Sequence, residues 1–316
     1  MLTFLLRRLP SLAGVLLASS VIAFALPRLA PGDPAVTIAG PDAAPEAVAA
    51  VRDALGLDRS LPSQYLHWLG GVLSGDLGTS FTTGRPVAEL LADRAASTVE
   101  LAVVAALLMS LLGIGLGVLG GNRRSPAVRA AVDGVSSALL AAPPFLTGLL
   151  LVLALGIAYP VLPAGGEVSL LDDPVIGIQY LIMPAVALAL PQAAAIGRLV
   201  QTEMRRNRGE EFVDLATAKG LSPGQVTRRH VLRTSLGTGA VAIGLRLGEL
   251  LAGAIVVEAV FARNGLGTLA VASMAGRDYL VVQVLVLLAV AVAAVIQILT
   301  ELVLAWLDPR VRLGAS

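Results

Sequence analysis

The stretch Thr98-Val-Glu-Leu-Ala-Val-Val-Ala-Ala-Leu-Leu-Met-Ser-Leu-Leu-Gly-Ile-Gly-Leu-Gly-Val-Leu-Gly120 decides the fold class. It carries one charge, Glu100, near its start. A helix that crosses a bilayer needs roughly 20 mostly apolar residues, and this run meets that length. Five more such runs lie on either side of it, at about 9–30, 132–158, 180–200, 236–260 and 280–306. Over all 316 residues the apolar fraction is 56% and the charged fraction 14%, with a mean hydropathy of +0.82. Soluble domains carry about 25% charged residues, so one soluble domain of this length is excluded. Long apolar runs without a glycine period of three exclude a disordered or fibrous chain. The expected fold is an all-α polytopic membrane protein with six transmembrane helices.

The runs carry their own punctuation. Asp133, Pro143 and Pro144 interrupt the third, and a kink is expected at the proline pair. Pro184 and Pro191 should bend the fourth. Gly113, Gly117 and Gly121 recur every four residues in the second and predict close helix packing. Glu100 and Asp133 fall at expected span ends, where interfacial water would solvate them. Arg7 and Arg8 precede the first run, which is too long for a signal peptide and reads as an uncleaved helix.

Basic residues then set the orientation. With the N-terminus inside, the cytoplasmic segments hold 15 of them and the outer segments six. The loop 159–178 has none and carries Glu167, Asp172 and Asp173. Both termini are therefore expected in the cytoplasm.

Chemistry-bearing patterns are few. There is no cysteine, and His67 and His230 stand far apart. No phosphate loop, zinc-protease helix or nucleophile elbow occurs. The chain is expected to be no enzyme and to hold no catalytic, cofactor or metal site. Its energy must come from a gradient or another subunit. Nucleic acid is not an expected partner, because the basic residues follow the inner membrane face.

Two segments outside the spans have internal order. In 31–97, residues 45–55 read as a short helix with Val48, Val51 and Leu55 on one face. Pro62 opens a second, whose apolar residues are Tyr65, Leu66, Trp68 and Leu69. This segment reads as a small cap, or as an aromatic anchor at the lipid headgroups. The loop 201–235 is longer than two neighbouring helices need. Glu210, Glu211 and Asp214 precede Lys219 and Gly220, the charge order of a short helix closed by glycine. Phe212, Leu215, Ala216 and Lys219 share a face, and Ser222-Pro223 opens another helix. Within the fifth run Arg246 and Glu249 stand three apart and should pair. With Glu258 near the outer end, they are candidates for a pathway or gate, against a purely structural pairing.

The loop carries a resemblance. Glu211-Phe-Val-Asp-Leu-Ala-Thr-Ala-Lys-Gly-Leu221 resembles the cytoplasmic coupling motif of bacterial ABC importer permeases. Asp214-Leu215-Ala216 stands on the motif's first triplet, Gly220 on its glycine and Leu232 on its distal leucine. His230 replaces the usual Ile and Arg233 the usual Pro, an ending common in the peptide/nickel branch. Leu29-Ala-Pro-Gly-Asp-Pro34, Leu55-Gly-Leu-Asp58 and Gly75-Asp-Leu-Gly-Thr-Ser-Phe81 are similar to segments of that branch. So are Glu258-Ala-Val-Phe261, Gly265-Leu-Gly267 and Asp308-Pro-Arg-Val-Arg312.

The resemblance is to the first permease subunit of dipeptide, oligopeptide and nickel importers, and it spans nearly the whole chain. It implies the type I ABC importer permease fold, with an extracytoplasmic cap at 31–97 after a first helix at 1–30. A permease core would follow at 98–306, containing the coupling loop 201–235, and then a cytoplasmic tail at 307–316. It implies a place in the bacterial inner membrane. The implied partners are a second permease, two ATPase subunits or domains that bind ATP and Mg, an extracytoplasmic peptide-binding protein, and lipid. The ATPase would be met by Phe212, Asp214, Leu215, Ala216, Lys219, Gly220 and Leu221, and the binding protein by Tyr65, Trp68 and Asp76. The implied function is ATP-driven import of di- or oligopeptides, or of nickel chelates or glutathione-like compounds by the same machinery. A gradient-driven secondary transporter is the alternative from another class.

Overall fold

The computed structural model describes residues 2–25, 34–40, 42–54, 56–122 and 126–307. The motif residues 29–33, Leu55, Arg123, Arg124 and 308–312 lie outside them. The described chain folds into α1 (Leu2–Ala25), α2 (Pro34–Ala39), α3 (Pro45–Ala54), α4 (Leu61–Ser74), α5 (Val87–Asn122) and α6 (Pro126–Ala141). There follow α7 (Pro144–Leu151, continued by a π-helical stretch Val152–Ala158), α8 (Pro174–Asn207), α9 (Glu211–Ala218) and α10 (Pro223–Val226). A second π-helical stretch, Thr227–Val231, leads into α11 (Leu232–Val260), followed by α12 (Leu266–Ala275) and α13 (Tyr279–Leu307). Proline opens α2, α3, α6, α7, α8 and α10. Its missing N–H would be unpaired in a first turn anyway, and its φ is already helical.

Six spans were expected; among the described residues four helices are long and apolar enough to cross a membrane. They are Val87–Gly121, Pro174–Asn207, Pro223–Val260 and Tyr279–Val303. The expected third span is a pair of helices, Pro126–Ala141 and Pro144–Ala158, bent by 100° at the break, and it makes a fifth span if the pair is one. Both Ala142 and Pro143 precede a proline, which drives a residue out of the α region. Pro143 accordingly has φ −62° and ψ 147°. Of the expected first span, Pro10–Ala25 is an apolar helix shorter than the four. The fourth, α8, stays one helix through Pro184 and Pro191. Asp173 caps it, its carboxylate accepting from the N–H groups of Val175 and Ile176 at 3.0 Å each.

The chain divides into two units, Met1–Ala96 with Gly265–Val295, and Ser97–Asn264 with Ile296–Ser316. In the first, Val87, Leu90, Leu269, Val281, Val284 and Leu285 form the core. The α4 helix is fastened to the end of α1: Phe24, Tyr65 and Trp68 stack with ring centres 5.4–6.2 Å apart. Tyr65 Oη and Ser20 Oγ share a hydrogen bond of 2.8 Å. The loop after α4 is tied to the start of α13 by buried Asp278, which accepts from Ser80 Oγ at 2.5 Å and Thr82 Oγ1 at 3.0 Å.

In the second unit α8 is the central helix. Leu188, Ile196, Val200 and Met204 are buried along its length. The glycines of α5 lie against it as the four-residue spacing predicts. A Cβ added at Gly113 would stand 2.8 Å from Ile196 Cβ, and one at Gly117 2.5 Å from Val200 Cβ. Bare glycine lets the two backbones approach closely, which replaces the hydrophobic drive that lipid removes.

Replacing Gly117 with Leu should therefore destabilise the fold by about 1–3 kcal/mol, the usual cost of overpacking. A methyl group added at Gly115 would meet nothing within 4 Å, so Gly115→Ala should leave stability unchanged. Thermal unfolding of the purified chain in detergent compares the two; an equal response would mean that the glycine face is not the contact.

Candidate functional site

Three arrangements in the second unit bear on function. The first is the elbow that joins α8 to α11. The α9 helix ends at Ala218 with Lys219 as its C-cap, and Gly220 follows with φ +81°, a left-handed conformation that costs glycine little. The N–H of Gly220 donates to Thr217 O at 2.9 Å and that of Leu221 to Ala216 O at 3.3 Å, which closes the helix end. Ser222 then caps α10, with its side chain and that of Gln225 each meeting the other's backbone N–H. A helix, a reversal and a second helix result from eleven residues of local chemistry, Glu211–Leu221, and one cap.

The residues expected to meet an ATPase do not all share one face. Ala216 is buried and belongs to the chain's own core, with Val213 and Leu221 packed against that core. Phe212 is half-buried, while Asp214, Leu215, Lys219 and Gly220 are exposed. Leu215 is 58% exposed, whereas Phe212 and Val213 of the same helix are half-buried. The surface free for a partner is therefore Asp214, Leu215, Ala218 and Lys219, and Ala216 anchors the elbow from below.

The elbow is tied at its roots. Asn207 Nδ2, in the last turn of α8, donates to Ser235 Oγ of α11 at 2.9 Å, and both side chains are buried. Arg208 Nη2 donates to Thr227 Oγ1 at 3.2 Å. These bonds tie the end of α8 to the start of α11 and to the π-helical stretch that follows α10.

The second arrangement is a groove of about 540 Å³ between α8 and α11. Ala195, Leu199 and Ala242 give it an apolar floor, and Arg198, Arg246 and Glu249 its charges. The expected pair is formed: Arg246 Nη1 donates to Glu249 Oε2 at 2.5 Å. Both side chains remain open, at 37% and 55% exposure. Arg246 and Glu249 fall within the apolar run 236–260, where a charge facing lipid is costly.

The third is a buried charge cluster at the end of α11. Arg263 is 1% exposed, and its Nη2 lies 3.7 Å from Glu167 Oε2 and 4.0 Å from Glu100 Oε2. It also donates to Ser97 Oγ at 3.1 Å. Burial lowers the pKa of Arg263, and Glu167, Glu100 and Glu258 oppose that shift. Glu258 is fully buried and accepts from Thr98 Oγ1 at 2.6 Å. It is thus packed inside its own unit and does not line open space. Glu100 was expected at a solvated span end. It lies well inside α5, because that helix starts at Val87, and it accepts from Ser169 Oγ at 2.6 Å. Asp133 does keep partial exposure, and it accepts from Gln201 Nε2 at 2.8 Å. No spacing in the sequence joins Arg263 to carboxylates at 100, 167 and 258; only the tertiary fold does.

In the first unit, the rings of Tyr65 and Trp68 are taken up by Phe24, while Asp76 is exposed and accepts from its neighbour Gly78 N at 3.0 Å. Leu66 and Leu73, at 65% and 80% exposure, form the open apolar side of α4. Leu66 therefore does not join Tyr65 and Trp68 in their contact with α1. Among the described residues no group of three or more His, Asp or Glu is placed to hold a metal ion.

Comparison with known proteins covers the whole chain. Residues 113–313 match the family model of binding-protein-dependent transport system inner membrane components, and residues 1–102 match the model of that family's N-terminal region. The chain is 34% identical to the probable peptide ABC transporter permease protein y4tP of Sinorhizobium fredii, over 98% of this chain and 99% of that one. It is 33% identical to the dipeptide transport system permease protein DppB of Escherichia coli K12, over 99% of each. Its fold is similar to a chain of the inward-facing MetNI methionine ABC transporter, with a TM-score of 0.56 at 18% identity, covering 69% of this chain and 96% of that one.

Removing Arg263 would leave Glu258 and Glu100 buried without their cation. Arg263→Met should cost about 3–5 kcal/mol, the usual range when one partner of a buried ion pair is lost. Arg263→Met combined with Glu258→Gln should recover part of it. Unfolding of the purified variants measures both, and additive losses would mean that the two groups are not coupled.

Proposed function

The chain belongs to the family of binding-protein-dependent transport system inner membrane components, and from that premise we propose that it is one of two membrane subunits of an ATP-driven importer of di- or oligopeptides. The observation that carries the reading is the end-to-end match to two peptide permeases at 34% and 33% identity. A binding-protein-dependent family also argues against a gradient-driven carrier.

The division of labour follows from what this chain contains. It has no phosphate loop, so ATP and Mg are held by a separate ATPase. The exposed face of α9, with Leu215 at its centre, seats on that ATPase. Movement of the ATPase displaces the elbow. The Asn207–Ser235 and Arg208–Thr227 bonds carry the displacement to α8 and α11. Those two helices wall the groove with the Arg246–Glu249 pair, which we assign to the translocation pathway. A homologous second permease forms the opposite wall.

Both termini face the cytoplasm in this reading, supported by 14 basic residues on that side against six on the other once Arg198 is counted with the groove. Residues 31–97 then lie outside and meet the peptide-binding protein. Asp76 and the open side of α4, Leu66 and Leu73, are the contact. Tyr65 and Trp68 act from beneath, by holding α4 on α1. Glu258 acts as part of a buried lock at the outer end and not as a residue the substrate touches.

Reconstitution with the partner subunits in proteoliposomes tests the reading. Labelled dipeptide should accumulate only with ATP and the binding protein. Leu215→Asp puts a charge on the seating face, and Gly220→Val forces a branched residue into the left-handed region. Each should lower uptake at least about tenfold, which corresponds to about 1.4 kcal/mol of lost coupling. Insertion into the membrane should remain. Full uptake by both variants, or uptake driven by a proton gradient without ATP, would contradict the proposal.

A further inference from the structure

We infer that the groove between α8 and α11 holds a carboxylate-binding subsite centred on Arg198, which takes the C-terminal carboxylate of a passing peptide. The inference deepens the assignment of this groove to the pathway and rests on it for the peptide. The charges in the groove do not balance. Arg246 is matched by Glu249, at 2.5 Å. Arg198 lines the same groove, and among the described residues no carboxylate lies within ion-pair distance of it. Its hydrogen bond is to a neutral group: Nη2 donates to Ser137 Oγ at 2.6 Å. That bond fixes the guanidinium and leaves its other N–H groups for a ligand. A guanidinium offers five donors in a planar fork and takes a carboxylate in bidentate fashion.

The surroundings fit a peptide end. Thr202, one turn along α8, lines the groove; its hydroxyl proton goes to Arg198 O at 2.9 Å, which leaves its lone pairs to accept from a peptide N–H. Ala195, Leu199 and Ala242 form an apolar floor for a side chain. A volume of about 540 Å³ is within the range of small-ligand sites. The groove has an excess of one positive charge, two arginines against one glutamate. A cationic ligand would meet repulsion there, and a carboxylate would complete the balance. The Arg246–Glu249 pair remains closed on itself and orients no ligand in this proposal.

The full-length chain in nanodiscs of phosphatidylcholine tests it by calorimetric titration with trialanine and with trialanine C-terminal amide. Trialanine should bind about tenfold tighter, the size of one charge-assisted hydrogen bond. Arg198→Gln should remove the difference, and Arg198→Lys should keep part of it. Arg129→Gln, which removes an exposed charge from α6, should keep it in full. Equal affinity of acid and amide for the unaltered chain would overturn the inference without any variant. So would an undiminished difference in Arg198→Gln.

A lipid headgroup carries an anion too. Adding phosphatidylglycerol to the nanodiscs should leave the preference for trialanine in place. If it abolishes peptide binding in the unaltered chain and leaves Arg198→Gln indifferent, the site belongs to lipid and the inference falls. ATP-driven uptake without any preference for the acid would overturn the subsite and leave the importer standing. A preserved preference in a chain that supports no uptake would keep the subsite and remove the importer.

Discussion

Hydrocarbon offers no hydrogen-bond partner, and every polar group placed in it must be satisfied by the chain itself. That constraint organises this protein. It explains why the described residues are almost wholly helical, since helices close their own backbone bonds. It explains why Glu100 and Glu258 each meet a hydroxyl and why both stand near Arg263. It also gives meaning to the charges in the groove between α8 and α11. Arg198 and Glu249 are exposed in that groove and Arg246 is half-buried, and hydrocarbon would solvate none of these charges.

Where hydrophobic drive is absent, packing must come from shape. Gly113 and Gly117 bring α5 against Ile196 and Val200 of α8, and Gly244 gives α11 the same closeness to Thr300 of α13. Gly253 of α11 also lies against Leu188 of α8, so α8 is held by α5 on one side and α11 on another, and its end carries the elbow. In the proposed function, the chain is a lever whose load is the charged groove.

Much of this was legible in residue order. The glycine spacing at 113, 117 and 121 named a helix contact, and the Arg246–Glu249 pair followed from a separation of three. The proline pair at 143 and 144 marked a break, although its 100° bend exceeds a kink. The elbow was legible because its chemistry is local: a glycine in the left-handed region and a capping box. What failed to show was tertiary. The start of α5 at Val87 was missed because residues 87–97 mix charge into the helix, and Glu100 was misplaced with it. Ala216 and Leu215 could not be separated into inner and outer faces until α9 lay against its core. Arg263 read as one more outer arginine, since its carboxylates come from three other segments.

The central claim is that the elbow moves the walls of the groove. The chain has no cysteine, so Leu199→Cys and Leu245→Cys place its only two spin labels across the groove, and partner subunits freed of cysteine complete the assembly. Their distance would be measured by pulsed electron spin resonance in the assembled transporter, with and without ATP. A distance distribution that shifts when ATP binds, and returns after hydrolysis, is the predicted result. An unchanged distribution in a complex that still takes up peptide would contradict the account.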